Sequence, residues 1–162
     1  MISDSVHSGT RVVYRDMTNA DIPAVAEMEK AVFSDPWPRS AFIDVVTAAG
    51  WGGLVAEIDG VIIGYACYLV VDVEAHLTNI AVAPEHRRKS VARHLLSRIL
   101  SIADGRGCEF ILLEVRPSNH EALAFYRKYG FKVLYQRPNY YRRPVEDAIV
   151  MVHYFDRDDT AT

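Results

Sequence analysis

The sequence predicts an α/β (or α+β) domain built around one central sheet. β-prone runs alternate with amphipathic helical patterns, and strand–helix–strand units occupy the second half of the chain. The 162 residues suit one domain of ordinary size, and neither a linker-like stretch nor an internal repeat divides them. We expect the domain to span residues 11–156, between a disordered N-terminal tail of residues 1–10 and a C-terminal tail of residues 157–162.

The first part of the chain is predicted to form a strand followed by two helices. A β-prone run over residues 11–15 is the strand, and Thr18 with Asp21 resembles a capping box that opens a helix. Two prolines within residues 34–38 prevent that helix from continuing. Ser40 is then placed to cap the second helix.

A β-hairpin and a further strand are predicted next. The dipeptide Asp59-Gly60 lies between β-prone residues 54–58 and 61–71, and this combination is the strongest short-range hairpin signal. A third strand, over residues 76–83, stops at Pro84.

The second half is predicted to alternate helices and strands. An amphipathic helix over residues 88–103 ends at glycines, and a strand follows over residues 110–116. Ser118 and Glu121 have the spacing of a capping box for another helix. The last strands are expected over residues 131–136 and 148–155, with an aromatic and basic loop at residues 137–143.

The composition argues against several classes of protein. A formal net charge of -3 is unlike that of a nucleic-acid-binding domain, which is usually strongly basic. Two cysteines without a CxxC pair indicate neither a disulfide framework nor zinc, and the histidine spacing suggests no other metal. The N-terminus lacks the apolar region of a secretory signal, and the longest apolar stretch is too short for a bilayer. We expect a cytoplasmic protein that binds neither membranes nor nucleic acid.

Residues 84–92 are the segment best suited to an anionic ligand. They lead from a strand into a helix, whose first backbone N–H groups lack helical partners and carry partial positive charge. Arg87, Arg88 and Lys89 add full positive charges. The small residues Ser90 and Ala92 leave room for phosphate oxygens near the backbone. A diphosphate would fit here; the alternative is a solvated basic turn.

Several motifs, in order along the chain, resemble the GNAT acetyltransferases. Residues 87–92 (RRKSVA) resemble the acyl-CoA signature Q/R-x-x-G-x-G/A, and residues 79–82 (NIAV) resemble the strand that pairs with the pantetheine arm. Residues 113–131 resemble a later motif of the family. The NYY and EDA sequences of residues 139–148 resemble its RimI branch, as do residues 18–21 and 33–37.

This resemblance implies a GNAT fold, a single domain whose mixed, mostly antiparallel sheet is flanked by helices. It implies acetyl-CoA as cosubstrate, held partly by backbone N–H groups of Ile80 and Val82. The implied acetyl-CoA-binding residues are Ile80, Ala81, Val82, Arg87, Arg88, Lys89, Ser90, Val91, Ala92, Asn119 and Tyr126. Ser90 replaces the first glycine of the family signature, and we expect the turn to be helical there.

Glu114 is the candidate general base. It interrupts an apolar strand, on the same face as Phe110 and Leu112, so its carboxylate should be partly desolvated and its pKa raised. The alternative is a structural glutamate paired with Arg116 or another base. The resemblance favours catalysis, because RimI-like enzymes use the matching glutamate to accept the proton of the amine.

Tyr126 is the candidate general acid. The resemblance places its hydroxyl near the sulfur of CoA, whereas a core aromatic on an amphipathic helix is the alternative. Asn119, at the start of the same helix, either bonds the pantetheine arm or serves only as a cap. The aromatic residues Phe33, Trp37, Tyr140 and Tyr141 are expected to form walls of a peptide groove, with ordinary loop packing as the alternative.

The RimI resemblance predicts acetyl transfer to the N-terminal α-amine of a protein, such as the N-terminal alanine of a ribosomal protein. The first alternative is a GNAT enzyme that acetylates a lysine or a small-molecule amine. The second is a catalytically silent acyl-CoA-binding regulator. Retention of both Glu114 and Tyr126 speaks against that second alternative.

Overall fold

The computed structural model describes residues 5–7 and 10–156. The strands in these residues are β1 (Ser5–His7), β2 (Thr10–Asp16), β3 (Trp51–Ile58), β4 (Val61–Val71), β5 (Glu74–Val82), β6 (Phe110–Val115), β7 (Lys132–Arg142) and β8 (Val145–Tyr154). The helices are α1 (Ile22–Val32), α2 (Arg39–Thr47), α3 (Val91–Gly105) and α4 (His120–Lys128). Strand β1 and Thr10, the first residue of β2, lie within the predicted N-terminal tail; residues 1–4 and 8–9 and the C-terminal tail lie outside the described residues.

The chain divides into two compact units. The first contains the residues up to Leu69 together with Leu77–Ser101, and the second contains Val70–His76 and the residues from Ile102 onward. Strands β4 and β5 and helix α3 therefore contribute residues to both units. Across the described ranges, no helix is both long and apolar enough to span a membrane.

Strands of the first unit are hydrogen-bonded in the order β1-β2-β3-β4-β5, and β2, β3 and β4 pair antiparallel. The predicted hairpin between β3 and β4 is confirmed. Asp59 (φ 49°) and Gly60 (φ 80°) both adopt the left-handed conformation that a type I′ turn requires. Strand β3 begins earlier than predicted because Trp51 and the two glycines after it also pair with β4.

A partly buried ion pair stabilises the 3-10 turn Asn19–Asp21 that leads into α1, and the predicted capping box is confirmed at this turn. The Asp21 carboxylate accepts a hydrogen bond from the Thr18 backbone N–H at 2.8 Å. Arg15, on β2, donates to both oxygens of the same carboxylate, at 2.7 and 2.8 Å. The hydrogen bond from Arg15 is the main cause that lowers the pKa of Asp21.

The prediction that Ser40 caps the second helix is wrong. Helix α2 begins at Arg39, its N-cap is Pro38, and no side chain caps it. Pro38 is extended (φ -68°, ψ 155°), so the chain turns into the helix before it reaches Ser40.

The core of the first unit surrounds a buried polar network centred on Glu29. This residue, on α1, is only 2% exposed. One carboxyl oxygen bonds the Tyr65 hydroxyl of β4, and the other accepts hydrogen bonds from Asn79 Nδ2 at 2.9 Å and Trp37 N at 3.3 Å. Burial raises the pKa of Glu29, against the lowering effect of these bonds. The apolar core cluster around it comprises Met17, Ile22, Val25, Ala26, Phe42, Val45, Val55, Tyr65, Cys67 and Ala81.

Glu29→Ala should reduce the free energy of unfolding by about 3 kcal/mol, because it leaves several buried donors without an acceptor. Glu27→Ala, on the exposed face of the same helix, is the matched control and should cost far less. Urea denaturation of both variants measures the difference. Equal losses would mean that the buried network contributes nothing specific.

The stability of the wild-type chain should also depend on pH through Glu29. Because the folded pKa of Glu29 is raised above the ordinary 4.5, the folded chain keeps a proton that the unfolded chain loses first, and stability is lost as pH rises from 4.5 through the folded pKa. Glu29→Gln stays neutral, so its stability relative to wild type should improve as pH rises above the ordinary 4.5 and through the raised folded pKa of Glu29. Denaturation curves that shift in parallel for both proteins would contradict this.

The second unit has a mixed, mostly antiparallel set of strands in the order β5-β6-β8-β7. The beginning of β5 pairs parallel to β6, with His76 opposite Leu112. Strand β8 pairs antiparallel to both β6 and β7. Helix α4 packs its buried Leu123 and Tyr126 inward, and the Tyr126 ring lies 5.7 Å from that of Phe131.

The predicted loop over residues 137–143 is wrong, because β7 continues to Arg142. The pairing register with β8 shifts between Arg137 and Tyr141, and Asn139 takes a left-handed conformation (φ 50°). The Asp147 carboxylate of β8 accepts a 2.9 Å hydrogen bond from the Asn139 backbone N–H. The irregular register lets β7 continue through Pro138 and Asn139 instead of ending before them.

The predicted Ser118–Glu121 capping box is also wrong. The N-cap of α4 is Asn119, whose Oδ1 accepts a 3.1 Å hydrogen bond from Ala122 N. Ser118 instead bonds Glu146 of β8 through both its backbone N–H (2.8 Å) and its hydroxyl (2.9 Å). Because Ser118 bonds Glu146 of β8, Asn119 caps the helix in its place.

Candidate active site

The basic turn lies in the first unit, between β5 and α3. A short 3-10 turn, Pro84–His86, precedes it, and α3 begins at Val91 rather than at residue 88. The prediction that the turn is helical at Ser90 is wrong, since Arg88 (φ 61°) and Ser90 (φ 67°) are both left-handed. The chain thus winds through two unfavourable conformations before the helix starts.

These conformations suit an anion better than a helical turn would. A turn that contains left-handed residues can direct neighbouring backbone N–H groups into one concavity, and the α3 N-terminus adds partial positive charge. The cationic Arg87 and Arg88 are exposed, and Lys89 is half-exposed. The residues present therefore fit a diphosphate group.

Close packing holds this turn against β4. A Cβ atom on Gly64 would lie 3.1 Å from the Ala81 carbonyl oxygen and 3.2 Å from the Val91 side chain. Ala83 N donates to Ile63 O at 2.8 Å, across the same contact. Gly64 thus permits a strand and a helix start to approach as closely as they do.

Three of the predicted acetyl-CoA-binding residues have buried side chains. Ala81, Val82 and Val91 are each less than a tenth exposed, so they can offer a ligand only their backbone. Ile80 and Ala92 are half-buried. The Val82 carbonyl accepts a 3.2 Å hydrogen bond from Arg87 Nε, which anchors that side chain at the end of β5.

Glu114, in the second unit, lies in a hydrogen-bonded pair with a histidine. It shares a half-buried face of β6 with Phe110 and Leu112, as predicted. Its Oε2 atom lies 2.6 Å from His76 Nε2 of β5. The carboxylate can only accept, so an N–H of the imidazole donates. The sequence suggests Arg116 as a structural partner of Glu114, but Arg116 bonds Glu146 instead.

Tyr140 and Tyr141 lie beside this pair. Their rings meet edge to face with centroids 4.9 Å apart, and the Arg116 guanidinium lies 4.1 Å from the centre of the Tyr141 ring. Burial raises the pKa of both tyrosines, and the negative charge of Glu114 raises both further. Arg116 also donates to Glu146 Oε2 at 3.3 Å, which ties it to β8.

Tyr126 completes the group from α4. It is 7% exposed, and burial raises the pKa of its hydroxyl. Burial is the main cause of the raised pKa of Tyr141, and Tyr126 is a lesser one. Asn119, at the start of α4, accepts the capping hydrogen bond with its Oδ1 atom. Its Nδ2 amide group can therefore still donate to a ligand.

The two remaining aromatic residues lie in the first unit. Phe33 is the C-cap of α1 and is 37% exposed. Trp37 packs against Phe42 and Trp51 at the edge of the core, with centroid distances of 5.6 and 6.2 Å. Trp37 therefore has the contacts expected of loop packing, whereas Phe33 offers an exposed face.

The second unit thus brings together Glu114, Tyr126, Tyr140 and Tyr141, all predicted from the sequence. It adds His76, which sequence reasoning considered only as a metal ligand and set aside. The alternating pattern of β5 places His76 on one face with Ile80, but its pairing with Glu114 depends on the register of β5 against β6. Among residues 5–7 and 10–156, no cluster of three or more His, Cys, Asp or Glu is arranged to hold a metal ion.

Sequence comparison assigns the chain to a class of enzyme. Residues 22–131 match the acetyltransferase (GNAT) family, so the chain belongs to that family and is an acetyl-CoA-dependent N-acetyltransferase. A relative from Salmonella typhimurium, a [ribosomal protein bS18]-alanine N-acetyltransferase, is 34% identical over 137 residues, or 83% of this chain and 92% of the relative. The predicted resemblance to the RimI branch is thereby confirmed.

Solved structures agree with this assignment. The ribosomal-protein-S18-alanine N-acetyltransferase from Escherichia coli superimposes with a TM-score of 0.85 at 29% identity, covering 93% of this chain and 98% of that one. Ard1 from Thermoplasma volcanium superimposes with a TM-score of 0.82 at 25% identity, covering 90% of this chain and 99% of that one. The predicted GNAT fold is confirmed.

Proposed function

We propose that the chain transfers the acetyl group of acetyl-CoA to the N-terminal α-amine of a protein, and that the acceptor is the N-terminal alanine of a ribosomal protein. The observation that carries the proposal is the Glu114–His76 pair beside the Tyr140–Tyr141 wall. The acceptors in the names of the bacterial relatives point the same way. A ribosomal acceptor places the reaction in the cytoplasm.

The basic turn is proposed to hold the diphosphate of acetyl-CoA. Backbone N–H groups around Arg88 and Ser90 would donate hydrogen bonds to the phosphate oxygens, with positive charge supplied by Arg87, Arg88 and Lys89. Backbone groups of Ile80 and Val82 would bond the pantetheine amides and the thioester carbonyl. Asn119 would donate its side-chain amide to the pantetheine arm.

Glu114 and His76 are proposed to act as one proton-accepting pair. An α-amine with a pKa near 8 is largely protonated at neutral pH and must lose a proton before its lone pair can attack the thioester. Glu114 would take that proton, directly or through water, while the imidazole N–H keeps one carboxylate oxygen in place.

Tyr126 is proposed to donate a proton to the departing thiolate. A raised pKa keeps its hydroxyl protonated until charge develops on the sulfur. When the carbon–sulfur bond of the tetrahedral species breaks, the electron pair goes to sulfur and the hydroxyl proton follows it. The proton taken from the amine then restores the tyrosine through solvent.

The tyrosine wall favours an α-amine over a lysine side chain. Tyr140 and Tyr141 are fixed by their mutual contact, by Arg116 and by the irregular register of β7. A short peptide N-terminus can reach the Glu114–His76 pair along such a wall with its backbone bonded. A lysine side chain would bring four flexible methylene groups to the same place and lose their entropy.

Peptides that begin with Ala or Ser should therefore react faster than the same peptides with a blocked N-terminus and an internal lysine. Initial rates with acetyl-CoA, followed by release of free thiol, measure kcat/KM for each peptide. Faster acetylation of the blocked, lysine-containing peptides would replace the proposed acceptor with a lysine side chain. No turnover with any amine would support a silent acyl-CoA-binding protein instead.

A further inference from the structure

Ser90 occupies a backbone conformation that strongly favours glycine. Its φ of 67° lies in the left-handed region, where a Cβ atom crowds the backbone and where serine has little intrinsic preference. Ser90 immediately precedes α3, and its carbonyl oxygen accepts the first hydrogen bond of that helix, from His94 N at 3.1 Å. Some other interaction must hold the residue in this conformation.

The side chain of His94 supplies a second hydrogen bond to the same oxygen. Its Nδ1 atom lies 2.7 Å from Ser90 O. A carbonyl oxygen can only accept, so Nδ1 carries the proton and donates. Two donors from one residue converge on a single carbonyl, which fixes the direction of the peptide bond between Ser90 and Val91.

The imidazole ring is itself held in place by β2. It stacks on the ring of Tyr14, with centroids 5.2 Å apart and an angle of 18° between the planes. Tyr14 is completely buried, so it offers a rigid platform. The helix start, the imidazole and the tyrosine thus form a continuous set of contacts that ends at the core of the first unit.

We propose that His94, supported by Tyr14, is a positioning residue that replaces the missing glycine by holding Ser90 in the left-handed conformation needed to bind the diphosphate of acetyl-CoA. The inference rests on the proposed role of the basic turn. His94 itself would not contact the ligand. It explains how the turn keeps an anion-binding geometry although serine stands where the family signature has glycine.

The proposal predicts a specific coupling between the two positions. His94→Ala should raise the Kd for acetyl-CoA, measured by calorimetry, by about fivefold when position 90 is serine. In a Ser90→Gly background the same substitution should have little effect, because glycine adopts the left-handed conformation without support. The variants are Ser90→Gly, His94→Ala and the double substitution, measured by titration calorimetry beside wild type.

Two further substitutions separate the hydrogen bond from the stacking. His94→Phe keeps a ring against Tyr14 but has no donor, so it should behave like His94→Ala. His94→Asn places an amide N–H near the position of Nδ1, so it should recover part of the affinity. Thermal melting of each variant identifies any that fails to fold.

The outcomes are distinct. Equal weakening by His94→Ala in the serine and glycine backgrounds, or no weakening in either, would overturn the inference while leaving the proposed function intact. If the wild-type chain itself binds no acetyl-CoA, then the proposed role of the turn fails and the inference fails with it. Loss of affinity in the serine background alone supports the proposal.

Discussion

Glu114→Gln should lower kcat by about 10²–10⁴-fold while acetyl-CoA binding stays close to wild type. Glutamine keeps the shape of the side chain and can still accept a hydrogen bond from His76, but it cannot take a proton from the amine. The remaining rate should rise more steeply with pH than that of wild type, because only amine that has lost its proton spontaneously can attack. Steady-state rates over a range of pH measure both effects.

One control variant and one further test variant make this experiment more specific. Glu121→Gln removes an exposed carboxylate from α4 in the same unit and should leave kcat unchanged. Tyr126→Phe should also lower kcat, but with a smaller change in the pH profile, since the loss falls on departure of the thiolate. Full activity of Glu114→Gln at every pH would show that Glu114 is structural and that the base is another group.

Reversing the charge of two residues in the basic turn should weaken acetyl-CoA binding by about tenfold or more. In the variant Arg88→Glu with Lys89→Glu, two attractive charges near the proposed diphosphate site become repulsive. Titration calorimetry measures the Kd, and the difference from wild type should shrink as salt is added.

The matched control for the charge reversal is Arg127→Glu with Lys128→Glu. These adjacent, exposed residues end α4, so the change in net charge is identical but falls outside the turn. Its acetyl-CoA affinity should stay near wild type. Equal weakening of acetyl-CoA binding in both double variants would show that the effect depends on net charge, and would contradict binding at the turn.

Local sequence signals predicted much of the fold. The Asp59-Gly60 turn and the Thr18–Asp21 capping box were confirmed, because each depends on residues that are neighbours in sequence. The alternation along β6 likewise placed Glu114 on its half-buried face. Errors arose where a distant partner decides the structure: Ser118 is taken by Glu146, which leaves the helix cap to Asn119.

The candidate site was predictable only in part for the same reason. Glu114 and Tyr126 stand within motifs, whereas His76 reaches Glu114 only through the parallel register of β5 on β6, which no local pattern specifies. The conformation of Ser90 was mispredicted because glycine preference alone argues against a left-handed serine. The support from His94 and Tyr14 becomes visible only in three dimensions.

The position of the acetyl group on one acceptor peptide tests the central proposal most directly. The peptide would begin with alanine, carry a free α-amine and contain one internal lysine, so that both amines compete at equal concentration. Fragmentation by tandem mass spectrometry after incubation with acetyl-CoA locates the added group. We predict acetylation of the N-terminal alanine in the wild-type reaction and strong loss of that product with Glu114→Gln. Acetylation confined to the lysine would contradict the proposed function.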